Sequence, residues 1–249
     1  MAPMAMALAC SAGPIDWREG YEESAAAADR PMLVRERSAG ARLFGSKLQP
    51  PAFPNQCTAS VRVWWNDATH AYAAWWSLRS DSSADIVASS SVDGRTWAKP
   101  VRVDTADIAT VGCKRQPPAI AGDGDNVHVV YAMRAKEGPG YFLSHSMDGG
   151  RACHSPVAVV YGVKLGLAAV AAGGNFVIVA YEDPNTTPTR ISIAVSTTMA
   201  HLFEYREVMS SEDQAATAPS VFVDGTLIVL NWRRANDTTR MITRRGQMR

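Results

Sequence analysis

No run of about 18 apolar residues occurs in the 249-residue chain, so no membrane-spanning helix is expected. Neither sign of charge is in excess: 25 basic residues face 24 acidic ones, for a net charge of +1. Without a basic run there is no electrostatic footprint for nucleic acid. The four cysteines, Cys10, Cys57, Cys113 and Cys153, include no C-x-x-C pair, which speaks against a cysteine zinc site. There is no Gly-x-Ser-x-Gly elbow and no His-Glu-x-x-His helix. The five histidines, His70, His128, His145, His154 and His201, are scattered along the chain. His128 and His145 fall within expected strands and read as structural groups rather than metal ligands. No metal and no resident cofactor is therefore expected. The loops "EDPN" and "DTAD" carry the oxygen ligands that Ca²⁺ takes, but surface turns of that composition stand without an ion.

What is present is a strand-forming chain, 47% apolar and 20% charged, able to bury a core. At the N-terminus, Ala7-Leu8-Ala9 before Cys10 resembles the end of a signal peptide or a lipoprotein cleavage site. Export to the cell envelope or beyond is the corresponding expectation.

Internal repetition organises the rest. "YAAWWSLR", "VHVVYAMR", "VIVAYEDP" and "LIVLNWRR" are apolar runs that place Trp76, Tyr131, Tyr181 and Trp232 about 50 residues apart. Each follows a turn and a short strand, the first of them read at Ala59–Val61. A second column holds "IVASSSVDGRTWAKPV" from Ile86, "SHSMDGGRAC" from Ser144 and "ISIAVSTTMAHLF" from Ile191. "LVRERSAGARLFGSKL", Leu33 to Leu48, aligns with it near the N-terminus. Valine, isoleucine and aromatics fill the strands, and turn residues separate them. Four short strands per unit of about 50 residues is the pattern of propeller blades.

Ser91, Asp93 and Trp97 in one copy, and Ser146, Asp148 and Gly150 in the next, carry a family resemblance. Ser-x-Asp-x-Gly-x-x-aromatic resembles the Asp-box of sialidase-like (BNR-repeat) β-propellers, with Cys153 in the aromatic place of the second copy. The other copies are degenerate. An Asp carboxylate can accept amide hydrogen bonds within its own turn, and glycine supplies positive φ, so these residues read as structural.

The fold expected is thus all-β: a β-propeller of four-stranded blades, four or five in number, as one domain over residues 33–249. Residues 1–32 are expected as a signal or lipoprotein remnant and linker, with 14–32 helical or irregular. Leu43–Leu48 is expected to close the ring as an outer strand in the blade of Pro219–Trp232. The layout also brings Cys57 and Cys113, both just before first strands, within reach of a disulfide, which would fit an oxidising compartment.

The resemblance implies a ligand site on the face opposite the Asp turns, for a small polar ligand, anionic or glycan-like. Arg79, Arg115, Arg134 and Arg233 are the substrate-binding candidates there, since arginine forks suit carboxylates. Tyr181, Glu182 and Asp183 are the catalytic candidates for a hydrolase. A non-catalytic binding or scaffold propeller is the alternative. The Arg-Ile-Pro motif of sialidases is absent, Asp29-Arg30-Pro31 being no match.

Overall fold

The computed structural model describes residues 13–24, 49–65 and 70–249. Two short strands come first, β1 (Ile15–Trp17) and β2 (Tyr21–Ser24). One antiparallel meander follows as β3 (Arg62–Trp65), β4 (Ala71–Leu78), β5 (Ala84–Ser91) and β6 (Val101–Asp104). The next is β7 (Ala119–Asp123), β8 (Asn126–Ala135), β9 (Gly138–Ser146) and β10 (Val157–Tyr161). A third is β11 (Ala168–Gly173), β12 (Phe176–Glu182), β13 (Ile191–Ser196) and β14 (Tyr205–Val208). The last sheet holds β15 (Ala216–Asp224), β16 (Leu227–Arg234) and β17 (Asp237–Met248), and both N-terminal strands pair with β17. Four sheets therefore stand in series among the described residues, the lower of the two blade numbers expected.

Alternation along the strands explains why the sheets stack. On β8, Val127, Val129 and Tyr131 face the first sheet and pack with Tyr72, Trp76 and Ile86. Val130, between them, joins Tyr141 and Leu143 against the third sheet. On β12, Val177, Val179 and Tyr181 look back to the second sheet, whereas Ile178 and Ala180 look forward to Ile228, Leu230 and Trp232 of the fourth. A strand buried on both faces reads as a continuous apolar run, and the sequences "VIVAY" and "ISIAV" do so. Each such fully buried aliphatic side chain contributes about 1.5–3 kcal/mol.

The aromatic column falls where the repeat places it. Trp76, Tyr131, Tyr181 and Trp232 all lie on the second strand of their sheets, and all are buried. Trp76 and Tyr131 meet edge to face with ring centroids 6.1 Å apart across the first sheet boundary. The Trp76 indole donates to the Gln116 carbonyl at 2.8 Å.

Two local readings are corrected. Thr58–Ser60 is a 3-10 turn, so the first strand of the first sheet is β3 and not Ala59–Val61. The segment read as helical or irregular contributes β1 and β2, which makes residues 15–24 part of the last sheet. Pairing, not intrinsic preference, decides this. Gly246 leaves room beside β17, and a Cβ there would lie 2.6 Å from Ile15 and 2.8 Å from Trp17. In β2, Glu22 is ion-paired with Arg234 and Arg240, at 3.1 Å each, and Glu23 accepts a hydrogen bond from Thr243. Leu43–Leu48, the segment expected beside β17, lies outside the described residues.

Cys57 and Cys113 form a disulfide with a Cα separation of 5.4 Å. It joins the loop before β3 to the loop between β6 and β7, at the entrances to the first two sheets.

Candidate functional site

The loops after second strands and those between sheets gather at one end of the molecule, and most of the candidate residues are there. Arg115 lies in the β6–β7 loop, and its guanidinium pairs with Asp107 at 2.7 Å, both side chains almost fully buried. It also donates to the carbonyls of Ala109 and Gly112 and sits 5.5 Å from the centre of the Trp76 ring. The other Asp107 oxygen accepts the Arg134 backbone amide at 3.1 Å, which ties the β8–β9 hairpin to this loop. Arg79 is paired with Asp85 and donates to the Thr105 carbonyl at 2.6 Å. The hydrogen bond from Arg79 to Asp85 raises its pKa further. Arg134 is exposed at the edge of this network. Arg79, Arg115 and Arg134 are thus brought together at the boundary of the first two sheets. Below them the Tyr131 hydroxyl donates to Asp104 at 2.6 Å, and burial, then the Asp104 charge, push its pKa well up.

The three catalytic candidates are consecutive at the end of β12 but face different ways: Tyr181 packs toward the second sheet, Glu182 reaches the fourth, and Asp183 turns into its own hairpin. Tyr181 is buried, and desolvation pushes its phenol up and away from a nucleophilic form. One Glu182 oxygen accepts the Thr217 hydroxyl at 2.5 Å and the Ala218 amide at 2.9 Å, so the side chain clasps β12 to β15. Gly166 lies so close that a Cβ there would fall 1.8 Å from the other Glu182 oxygen. Asp183 accepts the Ser192 hydroxyl at 2.7 Å and the Asn185 amide at 2.9 Å. Arg233 lies on β16 in register with Thr217.

At the opposite end are the turns between third and fourth strands. Asp93 accepts the amides of Arg95 and Thr96 at 2.8 and 2.7 Å, and the Ser91 hydroxyl accepts the Gly94 amide at 2.9 Å. The Thr96 and Arg95 amides hold the Asp93 carboxyl well below the usual range. Asp148 repeats the arrangement with the amides of Arg151 and Ala152, and Ser146 with that of Gly150. The Ser146 hydroxyl and these amides lower its pKa as well. The third turn keeps the geometry without the sequence. Ser196 accepts the Ala200 amide at 3.0 Å and Thr198 stands in for Asp, accepting the Leu202 amide at 3.2 Å. Met199 and Ala200 take positive φ, as Gly149 and Gly150 do in the second turn. The Trp97 indole donates to the Gln49 carbonyl at 2.9 Å, Phe203 is buried, and Cys153 is half-buried with its thiol pushed up to about 11 by burial and then Asp148.

Sequence spacing does not connect what lies beside these turns. His145 is the penultimate residue of β9, His154 follows the second turn and His201 belongs to the third. Their rings meet: His145 is stacked on His154 at 4.5 Å, and His201 stands edge-on to His145 at 4.5 Å. One ring nitrogen from each lies within 4.8 Å of the others. His145 is 2% exposed, and neither of its ring nitrogens has a hydrogen-bond partner. His128, opposite it on β8, is fully buried and equally unpartnered. Desolvation holds both imidazoles down to about 4, with the neighbouring rings adding to it. A groove of about 490 Å³ lined by Met147, Asp148, Cys153 and His154 opens at the same turn.

No family model and no characterised protein matches the chain. Among solved structures it is similar to the Streptococcus pneumoniae NanB sialidase, at 9% identity and a TM-score of 0.46. That match covers 71% of this chain and 29% of the sialidase. A Trypanosoma rangeli sialidase gives 14% identity and 0.49, over 74% and 34% of the two chains. A Penicillium chrysogenum α-L-arabinanase gives 14% and 0.47, over 79% and 63%. The chain spans about a third of the length of these sialidases and under two thirds of the arabinanase. Such likenesses concern the course of the chain and not its chemistry. Four antiparallel sheets in series, each stacked on the next through its buried faces and with the same bonded turn recurring in three, make this a β-propeller.

Proposed function

We propose that the protein is a binding propeller of an oxidising, extracytoplasmic compartment, whose loop face opposite the Asp turns takes a small anionic or glycan-like ligand. The observation that carries this is the state of the carboxylates on that face. Glu182 accepts two hydrogen bonds from β15 and Asp183 two from its own hairpin, so both are committed to holding sheets and turns. A general base has to reach a proton on its substrate. Arg134 is an exposed cation on the same face, on a hairpin that the buried Asp107–Arg115 pair holds in place. A guanidinium beside open solvent is suited to a carboxylate or phosphate oxygen pair. The Cys57–Cys113 disulfide supports the compartment, because reducing cytosol rarely sustains such bonds.

The test pairs a binding screen on acidic and neutral glycans with chromogenic ester, phosphoester and glycoside substrates. Expected are salt-sensitive binding to acidic ligands, its loss in Arg134→Ala, and no turnover. Turnover that disappears in Glu182→Gln at an unchanged melting temperature would establish a hydrolase instead.

A further inference from the structure

His145 sets a problem that the propeller fold alone does not solve. A buried polar group without a partner costs about 1–3 kcal/mol, and this ring has two such nitrogens. Its neighbours are not hydroxyls or carbonyls that would satisfy them, but two further imidazoles from different parts of the chain. His154 and His145 belong to the second sheet and its turn, whereas His201 belongs to the third. Three imidazoles in mutual contact gain little from one another beyond ring packing. They do share one high-affinity partner, a cation that accepts nitrogen lone pairs.

We propose that His145, His154 and His201 form a three-histidine site for a divalent transition-metal ion, zinc or a close neighbour in its series, which joins the second sheet to the third. Imidazole nitrogen suits zinc, copper and nickel, whereas calcium and magnesium take oxygen ligands. The His201 ring is already set for this task. Its Nδ1 lies 2.7 Å from the Thr198 carbonyl, which fixes that nitrogen as the proton carrier and leaves Nε2 free as a ligand. Metal-binding histidines are held in this way by a carbonyl or carboxylate behind them. The spacing is wider than a closed site requires. Nitrogens about 2.0–2.1 Å from a tetrahedral zinc are about 3.4 Å apart, so these nitrogens, now within 4.8 Å of one another, have to close by up to about 1.4 Å. His154 and His201 are exposed and free to make that rotation, while buried His145 is the fixed point. Three ligands leave a tetrahedral ion one position for water or an anion. His154 lines the groove at the second Asp turn, so a small ligand reaching the ion has a recess beside it.

The experiment uses the whole chain, freed of metal with a chelator and titrated with zinc chloride alone. Calorimetry should give one equivalent, and cobalt in its place should give visible ligand-field absorption. At a hundredfold excess over Kd the melting temperature should rise by about 5–10 °C. Magnesium and calcium should leave it unchanged. His154→Ala and His201→Ala, both at exposed positions, should fold and weaken zinc binding by at least about 100-fold, beyond the usual loss for a supporting residue. His70→Ala should bind as the wild type does. Absence of saturable binding, equal binding by the two variants, or an equal thermal shift with magnesium would each overturn the proposal.

Discussion

Replacing Glu182 with alanine removes the clasp between the third and fourth sheets. Its carboxylate accepts the Thr217 hydroxyl at 2.5 Å and the Ala218 amide at 2.9 Å, both on the bulged first strand of the last sheet. Hydrogen bonds to a charged group contribute about 1.5–3 kcal/mol each, and this carboxylate is only half-buried, so the pair is worth about 2–4 kcal/mol. Ala218 sits at φ +53°, a strained position that the bond to its amide helps to hold. In a chain of this size 1 kcal/mol moves the melting temperature by about 2–4 °C, so Glu182→Ala should lower it by about 5–15 °C. Glu182→Gln keeps an oxygen acceptor and should lose no more than about 1 kcal/mol. Urea unfolding and thermal melts of the three proteins measure the difference. If Glu182→Ala melts within about 2 °C of wild type, a shift worth less than about 1 kcal/mol, the clasp contributes nothing to folding and the structural role assigned to this carboxylate is wrong.

Cys57→Ser/Cys113→Ser should lose up to about 4 kcal/mol, since the bond closes a loop with a sequence separation of 56; the urea midpoint with and without reductant reads this. The Asp93 and Asp148 carboxyls are depressed in the folded state, so their stabilisation is complete above about pH 4 and is lost as pH falls through the folded values. Melting temperature against pH should therefore drop on the acid side, and Asp148→Ala should flatten that drop while leaving ligand binding unchanged. Met199→Gly, at φ +56° in the third turn, should gain up to about 1 kcal/mol by thermal melt, because glycine takes this conformation without a steric penalty.

The aromatic column made the repeat legible because each second strand buries one large ring between sheets, Trp76, Tyr131, Tyr181 and Trp232 in turn. The Asp turns were legible because their bonds are local. The third turn shows where that ends, since Thr198 and Met199 keep the fold of the turn after the motif has gone. Residues 15–24 were misread because their glutamates, and the alanines that follow them in the sequence, favour helices when nothing else decides. What decided here was a row of arginines and a glycine more than two hundred residues away. The histidine cluster escaped for a similar reason. His145, His154 and His201 have no metal-ligand spacing along the chain. They do share one end of adjacent repeats, because each lies within a few residues of the turn that follows a third strand: His145 just before one, His154 just after it, and His201 within the next. Aligning the turns, rather than the strands, is the signal that would have placed them together.

The pairing of β1 and β2 with β17 sets an order on how the molecule can be made. Ile15 lies opposite Met248, so β1 and β2 leave the ribosome well before β17 and can find their partner only once it has been synthesised. The three internal sheets are local meanders that can form from neighbouring segments as they emerge. The fourth must wait, and its closure carries the largest loop entropy in the chain. Sheet completion at the last step makes folding slower than local pairing would and leaves the open side of β17 exposed to other chains in the interval. A nascent chain stalled before Asp237 should therefore hold three folded blades and two idle strands.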